Sequence, residues 1–192
     1  MLALAEMFAS VQGEGFWTGT AAVFVRLAGC NLGCRFCDTD YAIRDFASIA
    51  QVVARVRELA PRCPTVILTG GEPLAQSEAL GLIEALRADG RRVHVESNGT
   101  IATDLAEDVW LTVSPKERLA PEMAARADEV KLIVDRRVPH EWLAAFAGRA
   151  IPIFLQPEGN KPHNVALALE ALRAEPARFR LGLQMHKFIG VP

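Results

Sequence analysis

Three cysteines stand within eight residues of this chain, at Cys30, Cys34 and Cys37. Thiolates are metal ligands, and three at this spacing are not typical of ordinary packing. A structural zinc site needs four ligands, commonly two separated Cys or His pairs, and the sequence offers no second pair. Three thiolates on a four-iron cluster would leave one iron open to another ligand. The spacing therefore indicates a metal site and favours an iron–sulfur cluster over zinc.

The remaining cysteine and the histidines do not complete a zinc site. Cys63 lies before a predicted strand, at the end opposite the three clustered cysteines, and we interpret it as a small buried hydrophobic residue. No two of the four histidines form a recognisable ligand pair; they are His94, His140, His163 and His186.

The composition indicates one globular domain that spans residues 1–192. The chain is 51% hydrophobic, which is enough to build a large core. Its net charge of -2 argues against a nucleic-acid binder that relies on positive charge. No apolar run approaches the roughly 20 residues that cross a bilayer. The N-terminus has no basic segment and meets an acid, Glu6, too early for a signal peptide. We therefore expect a protein of the reducing cytoplasm, without disulfides.

Short apolar strands alternate regularly with helical segments. Strands are predicted at residues 21–29, 65–69, 93–96, 110–113, 130–134, 152–155 and 180–184. Helices are predicted at residues 49–60, 76–88, 121–127, 140–147 and 162–174, the first of them capped by Ser48. This order is typical of a parallel sheet with right-handed crossovers. About six β/α units fall short of the eight in a full barrel. We therefore predict an incomplete TIM-type barrel that is laterally open, with a doubly wound open sheet as the alternative.

Polar and glycine-rich motifs follow the predicted strands. Ligands gather at the carboxyl ends of parallel strands in both candidate folds, so these motifs should surround one site. They are the cysteine segment, Gly70–Pro73, Ser97–Thr100, Ser114–Lys116 and Gln156–Gly159.

Two of these motifs resemble those of the radical S-adenosylmethionine (SAM) superfamily: Cys-x3-Cys-x2-Cys after the first predicted strand, and Gly70-Gly71-Glu72-Pro73 after the second. The resemblance implies a [4Fe–4S] cluster on Cys30, Cys34 and Cys37. It also implies that the amino and carboxylate groups of SAM chelate the open iron. Electron transfer would then cleave SAM to methionine and a 5′-deoxyadenosyl radical.

A narrower resemblance covers essentially the whole chain. Ser10–Gly15, Cys37-Asp38-Thr39 and the end of the chain, Gln184–Pro192, are similar to the corresponding segments of the 7-carboxy-7-deazaguanine synthase family. The resemblance implies a homodimer that converts 6-carboxy-5,6,7,8-tetrahydropterin to 7-carboxy-7-deazaguanine, on the way to queuosine and other deazapurines. The reaction would be a radical ring contraction that loses ammonia and is assisted by Mg²⁺.

The resemblance also implies substrate-binding residues. These are Val11, Gln12, Gly13, Glu14, Arg26, Thr69, His186 and Pro192, whose own carboxylate would reach the substrate. Arg26 is informative by itself because it interrupts the buried run of residues 23–27, where a charge needs a partner. The substrate carboxylate fits a guanidinium, and a structural ion pair with an internal acid is the alternative. The Gln12–Glu14 segment alone would also fit a simple turn.

The cofactor-binding residues implied by the same resemblance are Phe36, Cys37, Asp38, Gly71, Glu96, Ser97, Asn98, Ser114, Pro115, Lys116, Gln156, Pro157, Glu158 and Gly159. Mg²⁺ would bind Thr39, completed by substrate and water. From chemistry alone, Asp38 and Asp40 are the more obvious ligands. A polar turn is the simple alternative for Ser97–Thr100. Lys131, inside a predicted strand, is a buried charge whose role the sequence leaves open.

Two other functions fit parts of the pattern. One is an activase that installs a glycyl radical on a partner enzyme, since it shares the cluster spacing and a small barrel. The other is a non-catalytic module that binds zinc or a cluster. The synthase is favoured because three separate segments agree with it. Its expected partners are a small-molecule pterin and an electron donor such as flavodoxin or ferredoxin, with neither nucleic acid nor membrane involved.

Overall fold

The structure is a computed structural model that describes residues 1–192. Its strands are β1 Leu2–Val11, β2 Ala21–Leu27, β3 Asp45–Ala47, β4 Thr65–Gly70, β5 Arg92–Ser97, β6 Trp110–Val113, β7 Glu129–Val134, β8 Ile153–Pro157 and β9 Phe179–Leu181. Its α-helices are α1 Ile49–Leu59, α2 Ala79–Ala88, α3 Pro121–Arg126, α4 Pro162–Ala174 and α5 Met185–Ile189. Short 3₁₀ helices cover Pro73–Ala75, His140–Phe146 and Glu158–Asn160. None of the helices is long and apolar enough to cross a membrane.

All nine strands form one open sheet in the order β3-β1-β2-β4-β5-β6-β7-β8-β9. From β2 to β9 every neighbouring pair is parallel, whereas β1 is antiparallel to both β2 and β3. The fold is therefore mixed α/β with a large, mostly parallel sheet. Because the parallel strands all end at the same edge, the loops that follow them are brought together there.

The sequence explains why the strands lie where they do. Parallel strands covered by helices are apolar on the helix-facing side, and Val23, Val25, Val66, Leu68 and Val130 are fully buried. The opposite face of β5 and β7 instead carries charged residues inside the sheet.

The helices that cover the sheet begin and end on local signals. At α1 the Ser48 side chain accepts from the Gln51 backbone N–H, and the Gln51 side chain accepts from the Ser48 N–H. This capping box fixes the predicted start of the helix. Val52 and Val56 then place the buried stripe of α1 against the sheet.

The sequence-based interpretation missed the strand that begins the chain. Residues 21–29 were predicted as the first strand, but β1 precedes them and runs antiparallel to β2 along the register Leu4–Leu27 to Val11–Ala21. β1 alternates only weakly between apolar and polar residues, and it contains Glu6 within the sheet. Its antiparallel pairing is set by the tertiary fold rather than by a local pattern.

The structure does not confirm the predicted number of about six β/α units. Seven strands are parallel, and the connection between β5 and β6 contains no helix. The helix predicted at residues 140–147 is a 3₁₀ helix, His140–Phe146. The predicted parallel sheet with crossover helices is confirmed, whereas the count of units is not.

Candidate active site

One cavity of about 420 Å³ lies at the edge where the parallel strands end. All of the predicted site residues line it except Pro115 and Pro157. This volume is within the range of sites that bind small molecules. The structure thus brings together segments that are far apart in sequence, including the segment after β1, the cysteine segment and residues near the C-terminus.

The three clustered cysteines are free thiols in the loop after β2 and open into this cavity. A single zinc ion would need its thiolates to converge on one point at about 2.3 Å. No group of three Cys, His, Asp or Glu side chains converges in that way. Thiolates that each bind a different iron of a cubane need not converge, so the loop fits a [4Fe–4S] cluster better than one metal ion. Cys63 lies outside the cavity, partly buried beside the core.

Gly71 holds the loop after β4 against the cysteine loop. A Cβ atom at position 71 would lie 2.2 Å from the Gly29 carbonyl oxygen and 2.5 Å from the Cys30 Cβ. Only glycine allows this approach. The backbone of the glycine-rich motif is therefore held within reach of any group bound by the cysteines.

Glu72, in the same motif, is fully buried and ties two strand ends together. Its carboxylate accepts from the Leu74 N–H at 3.0 Å, the Asn98 N–H at 2.6 Å and the Ser97 hydroxyl at 3.0 Å. Burial raises the pKa of Glu72, although these hydrogen bonds and the Lys116 charge oppose that rise. The carboxylate positions the end of β5 rather than facing the cavity.

A buried charge network crosses the inner face of the sheet. Lys131 on β7 donates to Glu14 at 2.6 Å and to Glu96 on β5 at 2.9 Å. Gln12 donates to the other oxygen of Glu96 at 3.2 Å, and Gln184 donates to the other oxygen of Glu14 at 3.0 Å. The network joins residues predicted for the pterin with one predicted for SAM.

Burial and charge set the protonation of this network. Burial raises the pKa of Glu14, but the Lys131 charge and hydrogen bonds outweigh it and leave that pKa below its usual value. Burial likewise lowers the pKa of Lys131, yet the Glu14 and Glu96 charges raise it overall. Burial, followed by the Lys131 charge, lowers the pKa of Lys116 to about 8. The charges of Cys34, Glu14 and Glu96 oppose this shift only in part. The sequence predicts a buried charge at Lys131, and Glu14 and Glu96 are its partners.

The segment near the C-terminus covers one side of the cavity. Gln184 donates to Asp38 at 3.2 Å, and Lys187 forms an ion pair with the same carboxylate. The Met185 N–H donates to the Gly13 carbonyl at 2.8 Å, which places His186 beside the substrate segment. Pro192 lies at the rim, where its carbonyl accepts from the Ser10 hydroxyl at 2.8 Å.

The two aspartates that chemistry favours as Mg²⁺ ligands already have cationic partners. Asp38 is paired with Lys187, and Asp40 is paired with Arg44 at 2.5 Å. Burial raises the pKa of Asp38, but hydrogen bonds from Lys187 and Gln184 outweigh it and lower that pKa. Thr39 lies between them in sequence and lines the cavity.

Arg26 lines the cavity, but it has a partner within the protein. Its Nε lies 2.6 Å from Glu6 on the neighbouring strand β1, and about half of the Glu6 side chain is exposed. The ion pair that the sequence left as the alternative is therefore present. Arg26 remains one-fifth exposed, so its other guanidinium nitrogens are open to the cavity.

Sequence reasoning missed several lining residues, some of them because it missed β1. Phe8 of β1 stacks on Phe24 with ring centroids 5.0 Å apart, and Glu6 lines the cavity beside Arg26. Gln184 and Lys187 were also missed as site residues. The i, i+2 spacing of Glu6 and Phe8, which places both on one face of an extended segment, is the signal that could have found these two.

Known proteins resemble this chain in both sequence and structure. The family model for the radical SAM superfamily matches residues 25–147. A 7-carboxy-7-deazaguanine synthase from Bacteroides thetaiotaomicron is 39% identical and covers 97% of this chain and 96% of its own length. One from Bordetella pertussis is 37% identical and covers 97% of each chain. The crystal structure of QueE from Escherichia coli superposes with a TM-score of 0.80 at 28% identity, covering 96% of this chain and 94% of that one.

A family match over more than half of the chain, with the cysteine loop at the end of β2, defines the class of protein: the chain belongs to the radical SAM superfamily. Within that superfamily, near-full-length similarity to several synthases defines the particular group. The chain belongs to the 7-carboxy-7-deazaguanine synthase family.

Proposed function

We propose that this protein is a radical SAM lyase that converts 6-carboxy-5,6,7,8-tetrahydropterin to 7-carboxy-7-deazaguanine, with loss of ammonia, in queuosine biosynthesis. One observation carries the proposal. A single cavity is lined both by the cysteine loop and glycine motif of the superfamily and by the Gln12–Glu14 segment typical of the family. Close placement matters because a radical formed on a bound cofactor must reach the substrate directly.

The cofactor side of the cavity is formed by Cys30, Cys34 and Cys37, which would hold the cluster, and by the strand-end loops that follow β4, β5, β6 and β8. A [4Fe–4S] cluster with SAM would supply the electron that cleaves SAM to methionine and a 5′-deoxyadenosyl radical. The open backbone at Gly71 suits the amino-acid part of SAM. Asn98, held through Glu72, and Ser114 offer polar groups to the ribose and base.

The pterin side is formed by residues with the complementary hydrogen-bonding chemistry. A pterin presents a row of N–H donors, and the ionised carboxylate of Glu14 accepts hydrogen bonds. The pterin carboxylate needs a cation, and Arg26 can offer its free guanidinium nitrogens without losing Glu6. Thr69 and His186 complete this side of the cavity.

Mg²⁺ belongs to the proposal at Thr39. It prefers few protein ligands and several waters, so one hydroxyl oxygen together with substrate oxygens satisfies it. The ion pairs of Asp38 with Lys187 and of Asp40 with Arg44 support Thr39, because both carboxylates are already neutralised.

The same proposal includes the wider setting of the reaction. The sheet forms an incomplete, laterally open barrel, and the enzyme works as a homodimer in the reducing cytoplasm. Free cysteines without a disulfide support that compartment. Flavodoxin or ferredoxin would deliver the electron.

The test is anaerobic reconstitution of the cluster followed by incubation with the pterin, SAM, Mg²⁺ and a chemical reductant. We expect mass spectrometry to detect 7-carboxy-7-deazaguanine with no other protein present. Loss of ammonia from this pterin is redox-neutral, so the hydrogen atom taken by the 5′-deoxyadenosyl radical is returned, and we expect less 5′-deoxyadenosine than product. An activase would instead cleave SAM productively only when its partner protein is present. SAM cleavage without any change in the pterin would overturn the proposed substrate.

A further inference from the structure

Lys131 is the one cation that contacts both sides of the cavity. Its ammonium nitrogen lies 2.6 Å from a Glu14 oxygen and 2.9 Å from a Glu96 oxygen. Glu14 follows β1 on the pterin side, and Glu96 ends β5 on the cofactor side. The side chains of all three residues are 12–16% exposed, so water screens these pairs weakly.

Each carboxylate is fixed by a second contact on its other oxygen. Gln184 holds Glu14 and Gln12 holds Glu96, at 3.0 Å and 3.2 Å. Since one oxygen of each carboxylate faces Lys131 and the other an amide, neither group can turn without breaking a hydrogen bond. An arrangement of this kind preorganises acceptors for a ligand.

Removing the ammonium would leave the two carboxylates facing each other at low solvent exposure. Like charges this close in a partly desolvated site do not both stay ionised, and one takes up a proton. A protonated carboxyl donates a hydrogen bond where the ionised group accepts one. The loss of the Lys131 charge would therefore turn an acceptor of the cavity into a hydrogen-bond donor.

We propose that Lys131 is a positioning residue that holds Glu14 and Glu96 as fixed, ionised acceptors, and so sets the affinity of the cavity for the pterin and for SAM together. This inference rests on the proposed function for the identity of the two ligands. Lys131 does not act on the reacting atoms; it acts through the two carboxylates.

Other charges around the pair come from every neighbouring element and belong to the pH argument. They are Glu129 on β7, Lys116 after β6, Asp38 after β2, and His186 and Lys187 on α5. Those on α5 and after β2 remain in place when Lys131 is replaced. Lys131 nevertheless lowers the pKa of Glu129, Lys116 and His186, so each comparison is repeated in a Glu129→Gln background, where a new acid band cannot come from Glu129.

The experiment compares reconstituted wild type with Lys131→Met, Lys131→Arg and the control Arg178→Gln. Arg178 lies after α4 and outside the cavity, where it pairs with Glu175 and lies over the Phe179 ring. Infrared difference spectra, variant minus wild type, detect a protonated carboxyl group at neutral pH. The Kd of SAM and the KM of the pterin are measured at about pH 7 and about pH 9, because the extra proton should leave at the higher pH.

We expect Lys131→Met to show an additional carboxylic acid band at neutral pH. The KM of the pterin and the Kd of SAM should each rise by about tenfold at the lower pH and recover at the higher pH. Lys131→Arg retains the charge and should stay within about threefold of wild type, with no added band. Lys131→Gln supplies a second uncharged variant if Lys131→Met does not fold, which circular dichroism will show.

Three results would overturn the inference: no acid band in either uncharged variant, an effect confined to one ligand, or a loss of the same size at both pH values. Failure of the proposed function is distinguishable, because it would appear in wild type as absence of pterin turnover. The infrared result would still decide whether Lys131 keeps the carboxylates ionised.

Discussion

The imidazole of His186 occupies the space that a side chain at Gly13 would need. A Cβ built on Gly13 would lie 2.2 Å from His186 Nδ1 and 2.9 Å from His186 Cβ. The two residues lie at opposite ends of the chain, yet the Met185 N–H also donates to the Gly13 carbonyl. The short helix α5 is therefore positioned on the cavity by the absence of a side chain at one residue.

Gly13→Ala should displace His186 and loosen α5 over the cavity. Backbone and ring cannot both keep their places at such a separation, and the helix end is less firmly packed than β1. We expect the KM of the pterin to rise by about tenfold, with cluster content unchanged. Gly81→Ala in α2 is the matched control, since its added methyl meets only the Ile49 side chain and improves helix propensity. Equal pterin KM values for the two variants would contradict the packing argument.

Cys34→Ala should abolish the cluster, whereas Cys63→Ala should leave it intact. Cys34 lines the cavity, and Cys63 lies beside the core with its thiol directed at backbone carbonyls. Iron content and visible absorbance after anaerobic reconstitution report the result. We expect wild-type iron in Cys63→Ala and at most residual iron in Cys34→Ala. Loss of iron in Cys63→Ala would place that thiol in the cluster and refute our assignment.

Glu72→Gln should destabilise the fold by about 2–3 kcal/mol, because it turns one of two buried acceptor oxygens into a donor. The neighbouring groups at Glu72 are the N–H groups of Leu74 and Asn98 and the Ser97 hydroxyl. Urea denaturation measures the change. Glu78→Gln, at an exposed carboxylate that contacts the chain amino group, should change stability by less than about 1 kcal/mol. A similar small change at position 72 would show that its hydrogen bonds are not needed.

Glu129 gives a pH dependence of stability whose sign is the reverse of a typical carboxylate. Burial, followed by the Glu96 charge, raises its pKa from 4.5 to about 7. The native state then binds this proton more tightly than the unfolded state does. The stabilisation is complete below about pH 4.5 and is lost as the pH rises through about 7.

Glu129→Gln should remove that dependence because the amide stays neutral while its oxygen can still accept from the Phe16 N–H. Relative to wild type, the variant should gain about 3 kcal/mol between about pH 5 and about pH 8. Urea denaturation at the two pH values checks this. A variant-minus-wild-type difference that stays constant with pH would show that Glu129 is not the titrating group.

Much of the fold was accessible from sequence because local signals agree with the tertiary structure. The predicted strand at residues 110–113 is β6, and the predicted helix at residues 162–174 is α4. β1 was not accessible, since an antiparallel strand with a charged residue owes its place to its partner β2. No helix was predicted between β5 and β6, and the structure has none there.

The sequence predicts the parts of the site whose motifs follow strand ends. The rule that ligands gather at those ends correctly placed the cysteine loop and the Gly70–Pro73 motif around one cavity. Contacts between distant charges were not accessible, because no periodicity links Lys131 to Glu14 or Arg26 to Glu6. The structure supplied those partners, and they carry the inference about Lys131.

Contraction of a pterin ring in this cavity is tested most directly by measuring the products of one reaction. Reconstituted enzyme is incubated anaerobically with 6-carboxytetrahydropterin, SAM, Mg²⁺ and reductant, with Cys34→Ala as the control. We predict 7-carboxy-7-deazaguanine and ammonia in equal amounts from wild type, and neither from the variant. Deoxyadenosine formation with the pterin recovered intact and no ammonia released would contradict the account.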